Sequence, residues 1–204
     1  MNLLETDSAA LLAAVRRVLI AKGVLTDAEI ADRIAKTEQA SPALGARMVA
    51  KGWLEPDYRA LLLEDGTKAA EALGIMIRGA PPLGVLENTP LVHNLVVCTL
   101  CSCYPRAVLG YPPFWFKSAA YRARAVRDPR GVLAEWGTLL PDNVRVRVVD
   151  STADYRWMVL PQRPAGTEGW DEAQLAAIVR EGDMIGVTVP DGARLREKTL
   201  YPER

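Results

Sequence analysis

Three cysteines lie within six residues, at Cys98, Cys101 and Cys103, and the rest of this 204-residue chain contains none. Their Cys-x2-Cys-x-Cys spacing gathers three sulfurs around the peptide nitrogens of Ser102 and Cys103. One ion that contacts all of these donors keeps an open coordination position, at which it can polarise a bound group. Because ionising a peptide nitrogen requires a small, strongly Lewis-acidic ion, this donor set favours a trivalent metal over zinc or magnesium.

Other interpretations account for the cluster less well. A zinc site normally has four ligands, and the only histidine, His93, lies five residues before Cys98 on a predicted strand. A redox pair of cysteines belongs at the start of a helix and leaves the third cysteine without a role. Three buried thiols that act as small apolar side chains are the structural alternative.

The first 78 residues are predicted to be helical, because apolar residues recur there at three- and four-residue spacing. The first predicted helix has an apolar face over Leu11–Leu19 and ends at Gly23, and the second begins with a capping box of Thr26 and Glu29. A third begins at Ser41 and Pro42, and a fourth covers 56–73.

The second part of the chain mixes strands and helices in irregular order. Residues 79–89 have the composition of a linker, so we place a domain boundary there and expect domains at 1–78 and 79–204. Strands are predicted at 91–97, 144–148, 155–160 and 184–189, with 155–160 beside 144–148, and helices at 115–127, 128–136 and 171–180. This order predicts an α+β fold rather than a repeated βαβ array.

The charge balance argues against two classes of partner. Lys and Arg together number 25, as do Asp and Glu, and the sequence pI is about 6.6. No overall basic field is available for nucleic acid or for an anionic membrane.

We find no secretory leader and no apolar window of about 20 residues, so we expect a cytoplasmic protein. In the cytoplasm, clustered thiols serve as metal ligands or catalytic groups.

The cysteine segment, residues 97–104, together with downstream motifs, resembles the α subunit of the nitrile hydratase family. The likeness covers most of residues 88–189 and, more weakly, the helical region near 49–59. Further residues that carry it are Leu109-Gly110, Pro112-Pro113, Trp115, Lys117, 121–124, 128–130, Asp150-Ser151, Arg156, 159–161, 163–170 and 184–187. The resemblance implies an N-terminal helical arm followed by a layered α-β-β-α catalytic domain.

The resemblance also implies one low-spin Co(III) or Fe(III) ion per subunit. Its ligands would be the sulfurs of Cys98, Cys101 and Cys103 and the peptide nitrogens of Ser102 and Cys103. In this family a threonine after the first cysteine and a tyrosine after the third accompany cobalt. The pair Thr99 and Tyr104 therefore favours cobalt, with iron as the alternative.

Oxidised cysteines belong to the same implied site. The residue in the position of Cys101 becomes sulfinic acid, and the one in the position of Cys103 becomes sulfenic acid. The added oxygen atoms withdraw electron density and make the metal a stronger Lewis acid. Catalytic roles are accordingly expected for Cys103, Cys101 and Ser102.

Five further residues are expected in the substrate pocket or around the ligands: Tyr104, Arg106, Trp115, Arg156 and His93. Alternatives remain open for three of them. His93 is either a hydrogen-bonded interior histidine or a ligand. Trp115 is either a pocket residue or an ordinary core aromatic. Arg156 either orients the cysteines or pairs with Asp150 or Asp154.

The resemblance predicts the partners and the reaction. A nitrile hydratase β subunit would supply arginines to the oxidised cysteines, because buried anions need paired hydrogen-bond donors. An accessory protein would insert the metal, and the substrate would be a small nitrile, hydrated to the amide. We expect neither nucleic acid nor membrane as a partner.

Departures from the family pattern leave other functions open. The family usually has Trp in place of Arg106 and of Val149, and Tyr in place of Phe116 and of Trp157. A cationic Arg106 near the metal would suit an anionic substrate, as in the metal-binding γ subunit of thiocyanate hydrolase, a close relative. A metal-binding module without catalytic activity is the weaker alternative.

Overall fold

The computed structural model describes residues 3–75, 79–101 and 103–195. Contacts divide the chain into two compact units, Met1–Gln39 and Ala40–Arg204. Helices and strands occur together, which confirms the mixed fold. The α-β-β-α layering and the separation of domains between residues 78 and 79 remain predictions.

The first unit consists of two helices, α1 (Leu3–Ala21) and α2 (Asp27–Gln39). Gly23 follows α1 with φ of +65°, a left-handed conformation that glycine adopts without strain. The predicted capping box is confirmed. The Glu29 N–H donates to Thr26 Oγ1 at 3.1 Å, and the Thr26 N–H donates to Glu29 Oε2 at 2.8 Å.

The second unit begins with α3 (Pro42–Leu54), α4 (Pro56–Glu64) and α5 (Gly66–Ala72). The predicted start at Pro42 is confirmed. The single helix predicted over 56–73 is wrong, because Asp65 lies in extended conformation and ends α4. Its carboxylate accepts the Lys68 N–H at 3.0 Å and caps α5, so the chain turns at this residue.

Two parallel pairs of strands follow. Strand β1 (Leu83–Glu87) pairs with β4 (Arg156–Leu160), and β2 (Val92–Val97) pairs with β3 (Arg145–Asp150). The β2 prediction is confirmed. In the β2–β3 register, Val97 lies opposite Asp150, so both strands end at the same place.

The linker predicted over 79–89 and the predicted pairing of 155–160 with 144–148 are wrong, whereas a strand at 155–160 is confirmed. Residues 83–87 form β1 inside the segment predicted as a linker. Gly84 gives that segment a loop-like composition, but a side chain at this position would clash with Trp157, so glycine reflects close strand packing. Residues 156–160 pair with β1 rather than with the strand at 145–150, because both pairs are parallel and parallel strands need long crossover connections.

Four short helices connect β2 to β3: α6 (Arg106–Leu109), α7 (Phe114–Lys117), α8 (Ala119–Arg127) and α9 (Pro129–Glu135). Ser118 interrupts the helix predicted over 115–127, and its hydroxyl accepts the Tyr121 N–H at 3.1 Å to cap α8. Asp128 caps α9 as predicted, by accepting the Gly131 N–H at 2.9 Å.

The last two helices are α10 (Glu172–Ile178) and α11 (Glu181–Ile185). The strand predicted over 184–189 is wrong. Residues 184 and 185 complete α11, and Gly186, with φ of +90°, ends the helix in a left-handed conformation. Apolar residues at 184–187 are buried in the core. A short apolar run has the same sequence pattern in a buried helix as in a buried strand, which explains the wrong prediction.

The hydrophobic core joins the strands to the helices of the second unit. Leu95, Met158, Leu133 and Met184, from β2, β4, α9 and α11, are all fully buried. Across the described ranges, none of the helices combines the length and the apolar character needed to span a bilayer. The buried end of β2 leads directly into the segment that follows this strand.

Candidate metal centre

The three cysteine sulfurs meet directly after β2, in a segment that we call the cysteine loop, residues 98–103. The Cys98 Sγ lies 3.3 Å from the Cys101 Sγ, which lies 2.9 Å from the Cys103 Sγ. All three sulfurs lie within 4.8 Å of one another. Cys98 and Cys103 are buried, and Cys101 is exposed. The structure therefore brings the three predicted sulfur ligands together.

The sulfur separations fit ligands at right angles around one ion. Two sulfurs about 2.3 Å from an ion lie about 3.8 Å apart at the tetrahedral angle and about 3.3 Å apart at a right angle. The two separations of 3.3 and 2.9 Å correspond to the smaller angle. Separations of this size allow one ion to contact all three sulfurs.

The ring nitrogens of His93 contact residues other than the cysteines. His93 is buried, its Nε2 hydrogen-bonds the Gly186 carbonyl oxygen at 2.7 Å, and its Nδ1 lies 3.3 Å from the Asn88 side-chain nitrogen. Burial lowers the pKa of His93, an effect that the hydrogen bond to Gly186 opposes. Both ring nitrogens have partners, so this geometry is that of an interior histidine.

Ser102 lies outside the described residues. Its expected peptide-nitrogen ligand and its expected catalytic role therefore remain predictions.

The peptide of Thr99 is held from two sides. The Asp150 carboxylate accepts the Thr99 N–H at 3.0 Å and also the Thr99 hydroxyl. Arg122 Nη1 donates to the Thr99 carbonyl oxygen at 3.1 Å. Because Thr99 directly follows Cys98, these bonds fix the first turn of the cysteine loop.

The buried thiol of Cys103 favours its neutral form without a metal. Burial raises the pKa of Cys103 to about 12, hydrogen bonds with Cys101 and Cys98 act in the same direction, and Arg156 opposes them. Thiolate is the form that binds metal, and a bound cation displaces the proton. We therefore expect the cysteine thiols to lose their protons when an ion binds.

Arg156 presents an unused donor near the cysteine loop. It begins β4, and its charge acts on Cys103. Its Nη1 is buried and, among the described residues, has no hydrogen-bond partner, so neither Asp150 nor Asp154 accepts from this atom. A buried donor left unpaired costs about 1–3 kcal/mol. An anionic group on the cysteines would satisfy it.

The structure places the other predicted pocket residues in different surroundings. Arg106 is exposed, with its guanidinium 4.4 Å from the ring centre of Tyr111. Trp115 is half-buried and packs edge-on against Phe116 and Tyr121, at centroid separations of 5.9 and 5.0 Å.

Tyr104, the residue after Cys103, is buried, and its hydroxyl donates to the Glu181 carboxylate. Burial and this hydrogen bond both raise the pKa of Tyr104, so its phenol stays neutral.

A groove of about 380 Å³ lies beside Thr99 and α8. Its other lining residues are Ala119, Arg122, Ala123, Val126 and Arg127. Arg122 Nε is buried and has no hydrogen-bond partner among the described residues. Two guanidinium groups, those of Arg122 and Arg127, therefore lie next to the cysteine loop.

Sequence reasoning did not assign three contacts around the cysteine loop. The bond between Thr99 and Asp150 and that between Arg122 and the loop link residues 51 and 23 positions apart. The bond between Tyr104 and Glu181 spans 77 positions. The position of Asp150 at the end of an alternating strand is a weak sequence signal for its contact with the loop. Nothing in the sequence around Glu181 indicates its contact with Tyr104.

Comparison with known proteins gives a consistent result. The family model described as "Nitrile hydratase, alpha chain" matches residues 6–188. The low-molecular weight cobalt-containing nitrile hydratase subunit alpha of Rhodococcus rhodochrous is 50% identical over 185 residues, which cover 90% of this chain and 89% of that protein. Thiocyanate hydrolase subunit gamma of Thiobacillus thioparus is 45% identical over 190 residues, covering 87% and 77%.

A solved structure agrees with these relatives. A recombinant thiocyanate hydrolase with partially modified cobalt centres has a chain that superposes with a TM-score of 0.85 at 43% identity, and the match covers 91% of each chain.

Proposed function

Because this chain belongs to the nitrile hydratase alpha-chain family, we propose that it is the metal-binding subunit of a cobalt nitrile hydratase, a hydro-lyase that adds water to a nitrile and releases the amide. The observation that carries the proposal is the convergence of three sulfurs within 4.8 Å directly after a buried strand. The relative that is 50% identical over 90% of this chain is named as cobalt-containing.

The proposed ligands are the sulfurs of Cys98, Cys101 and Cys103 and the peptide nitrogens of Ser102 and Cys103. They would hold one Co(III) ion per subunit, with Fe(III) as the alternative. When bound, the ion supplies Lewis acidity that makes the nitrile carbon electrophilic. The right-angled sulfur separations support this donor set.

We assign the remaining chemistry to the chain itself. Cys101 would be a sulfinic acid and Cys103 a sulfenic acid. The sulfenate oxygen of Cys103, or a nearby water, would attack the nitrile carbon. If the sulfenate attacks, a water would then replace the oxygen on Cys103, so that in either case one water is added and the amide is released. Arg156 Nη1, which has no partner among the described residues, is suited to donate to an oxygen on Cys103. This bond would stabilise the oxidised, anionic form of the cysteine.

The site is proposed to need a second subunit. The oxidised cysteines would carry several negative charges, and we expect arginines from a nitrile hydratase β subunit to pair with them. The apolar face of α1 supports such a partner, because Leu11, Leu12, Val15 and Val18 are 46–71% exposed. We also propose an accessory protein for metal insertion, a cytoplasmic location and the α-β-β-α layering of the family.

The test is steady-state hydration of a small nitrile by the chain produced with its partner subunit and loaded with cobalt. We expect amide formation by the wild type and none by Cys103→Ala. Ala134→Ser, at an exposed position on α9, is the control and should retain activity. Failure of the cobalt-loaded wild type to hydrate any nitrile would contradict the proposal.

Arg106 supports a second candidate, a thiocyanate hydrolase subunit. Its guanidinium lies three residues after Cys103, and a cation there attracts an anionic substrate but gives no such advantage to a neutral nitrile. Parallel assays with thiocyanate and a nitrile separate the candidates. Turnover of thiocyanate alone would remove the first, and turnover of neither would favour the metal-binding module without activity.

A further inference from the structure

The residue after the last cysteine is anchored on a distant helix. Tyr104 is 2% exposed, and its ring packs edge-on against Phe116 at a centroid separation of 4.9 Å. Its hydroxyl donates to Glu181 Oε1 on α11. The ring therefore has an apolar wall on one side and a hydrogen bond at its tip, so its position is fixed at both ends.

Glu181 is an unusual residue for its surroundings. It is half-buried, and burial raises the pKa of its carboxyl, while the bond from Tyr104 opposes this shift. A shorter polar residue, or an apolar one, would carry a smaller desolvation cost at this position. The helix itself does not need the carboxylate of Glu181, because its capping box is formed by Asp183 and the backbone of Arg180.

The helix that carries Glu181 is itself held firmly. Asp183, two residues further along α11, is 0% exposed and accepts hydrogen bonds from Thr188 Oγ1 at 2.5 Å, from Arg194 Nη1 at 2.5 Å and from the Arg180 N–H at 2.8 Å. These bonds tie the centre of the five-residue helix to the segments on both sides of it. Glu181 thus reaches Tyr104 from a fixed support.

Resting on the proposed function, we propose that Glu181 is a positioning residue, which acts through Tyr104 to orient Cys103 for the metal. Tyr104 and Cys103 share a peptide bond, so fixing the tyrosine limits rotation of the Cys103 backbone. That rotation sets the direction of the Cys103 sulfur and of the Cys103 peptide nitrogen together. Outer residues that orient ligands typically change metal affinity 10- to 100-fold.

The test uses the full chain produced with its partner subunit and loaded with cobalt. Three variants are compared with wild type: Glu181→Ala, Glu181→Gln and Tyr104→Phe. Glu71→Ala, at an exposed position on α5, is the control. The readouts are cobalt retention against a chelator and the sulfur-to-cobalt charge-transfer absorption, neither of which depends on activity.

We expect Glu181→Ala and Tyr104→Phe to lose cobalt about 10- to 100-fold faster and to shift the absorption bands. Glu181→Gln keeps a side-chain oxygen that accepts from the tyrosine, so it should restore both readouts. If Glu181→Ala does not fold, Tyr104→Phe removes the same hydrogen bond while leaving the packing of the ring in place.

Wild-type retention and wild-type bands in both Glu181→Ala and Tyr104→Phe would overturn the inference. So would a lower melting temperature with unchanged bands, because that pattern indicates a purely structural role. Absence of cobalt from the wild type itself would instead contradict the proposed function, so the two failures are distinguishable.

Discussion

The Asp150 carboxylate accepts both the backbone N–H and the hydroxyl of Thr99, and so ties the end of β3 to the turn between the first two cysteines. The register of β2 and β3 makes this possible, because Val97 and Asp150 are paired at the ends of the two strands. The sheet therefore orients the cysteine loop directly.

Replacing Asp150 should weaken metal binding. Asp150→Ala removes both acceptors of Thr99, and we expect cobalt affinity to fall about 10- to 100-fold, as for other residues that orient ligands. Competition with a coloured chelator measures the loss. Asp154→Ala, at an exposed turn position, is the control and should bind as wild type. Equal cobalt affinity in both variants would show that the loop holds its form without Asp150.

Oxidation of the cysteines should appear in the mass of the protein. After cobalt loading in the presence of dioxygen as the oxidant, we expect a gain of about three oxygen atoms, two on Cys101 and one on Cys103. Intact-mass and peptide measurements locate them. Cys98→Ala, Cys101→Ala and Cys103→Ala should each lose the metal, and cobalt retained by any one of the three would count against the ligand set.

Local signals predicted a good part of the fold. The side chains of Thr26, Glu29 and Asp128 bond to backbone atoms three residues away, so the sequence contains both partners of each cap. Interruptions at Asp65 and Ser118 are also local, but each lies in an otherwise helical pattern that outweighs a single capping residue.

Pairing of strands and the outer contacts of the site depend on distant residues. Strand β4 follows β3 after a short turn, yet its partner is β1, which precedes it by about 70 residues. No short-range pattern distinguishes these partners. Likewise, the spacing of the cysteines indicates a metal centre from the sequence alone. The bond of Tyr104 to Glu181 depends on the core, which brings α11 beside the loop.

The single histidine should make stability depend on pH. Burial lowers the pKa of His93 in the folded chain below the value of about 6.5 expected when unfolded. As pH falls below about 6.5 the unfolded chain binds a proton that the folded chain does not, so the free energy of unfolding decreases. The contribution has a limiting slope of about 1.4 kcal/mol per pH unit.

Urea unfolding of the metal-free chain between pH 7 and pH 5 measures this dependence. His93→Gln should show a shallower slope, since the carboxyl groups common to both proteins contribute equally. Parallel stability curves for the two proteins would exclude His93 as the source of the dependence.

The ion pair of Asp183 and Arg194 should contribute strongly to stability. Asp183 is completely buried, and the Arg194 side chain is 13% exposed. Arg194→Ala leaves the carboxylate without its cation, and we expect a loss of about 3–5 kcal/mol in the free energy of unfolding. Arg124→Ala breaks an exposed pair with Glu135 and should have little effect. Equal effects of the two variants in denaturant titrations would contradict the assignment.

X-ray absorption at the cobalt edge of the loaded complex reports on the ligand set itself. We predict three sulfur and two nitrogen neighbours around one cobalt ion, the nitrogens being those of the peptide groups at Ser102 and Cys103. A cobalt environment without nitrogen, or a preparation in which only zinc occupies the cysteine loop, would contradict this ligand set.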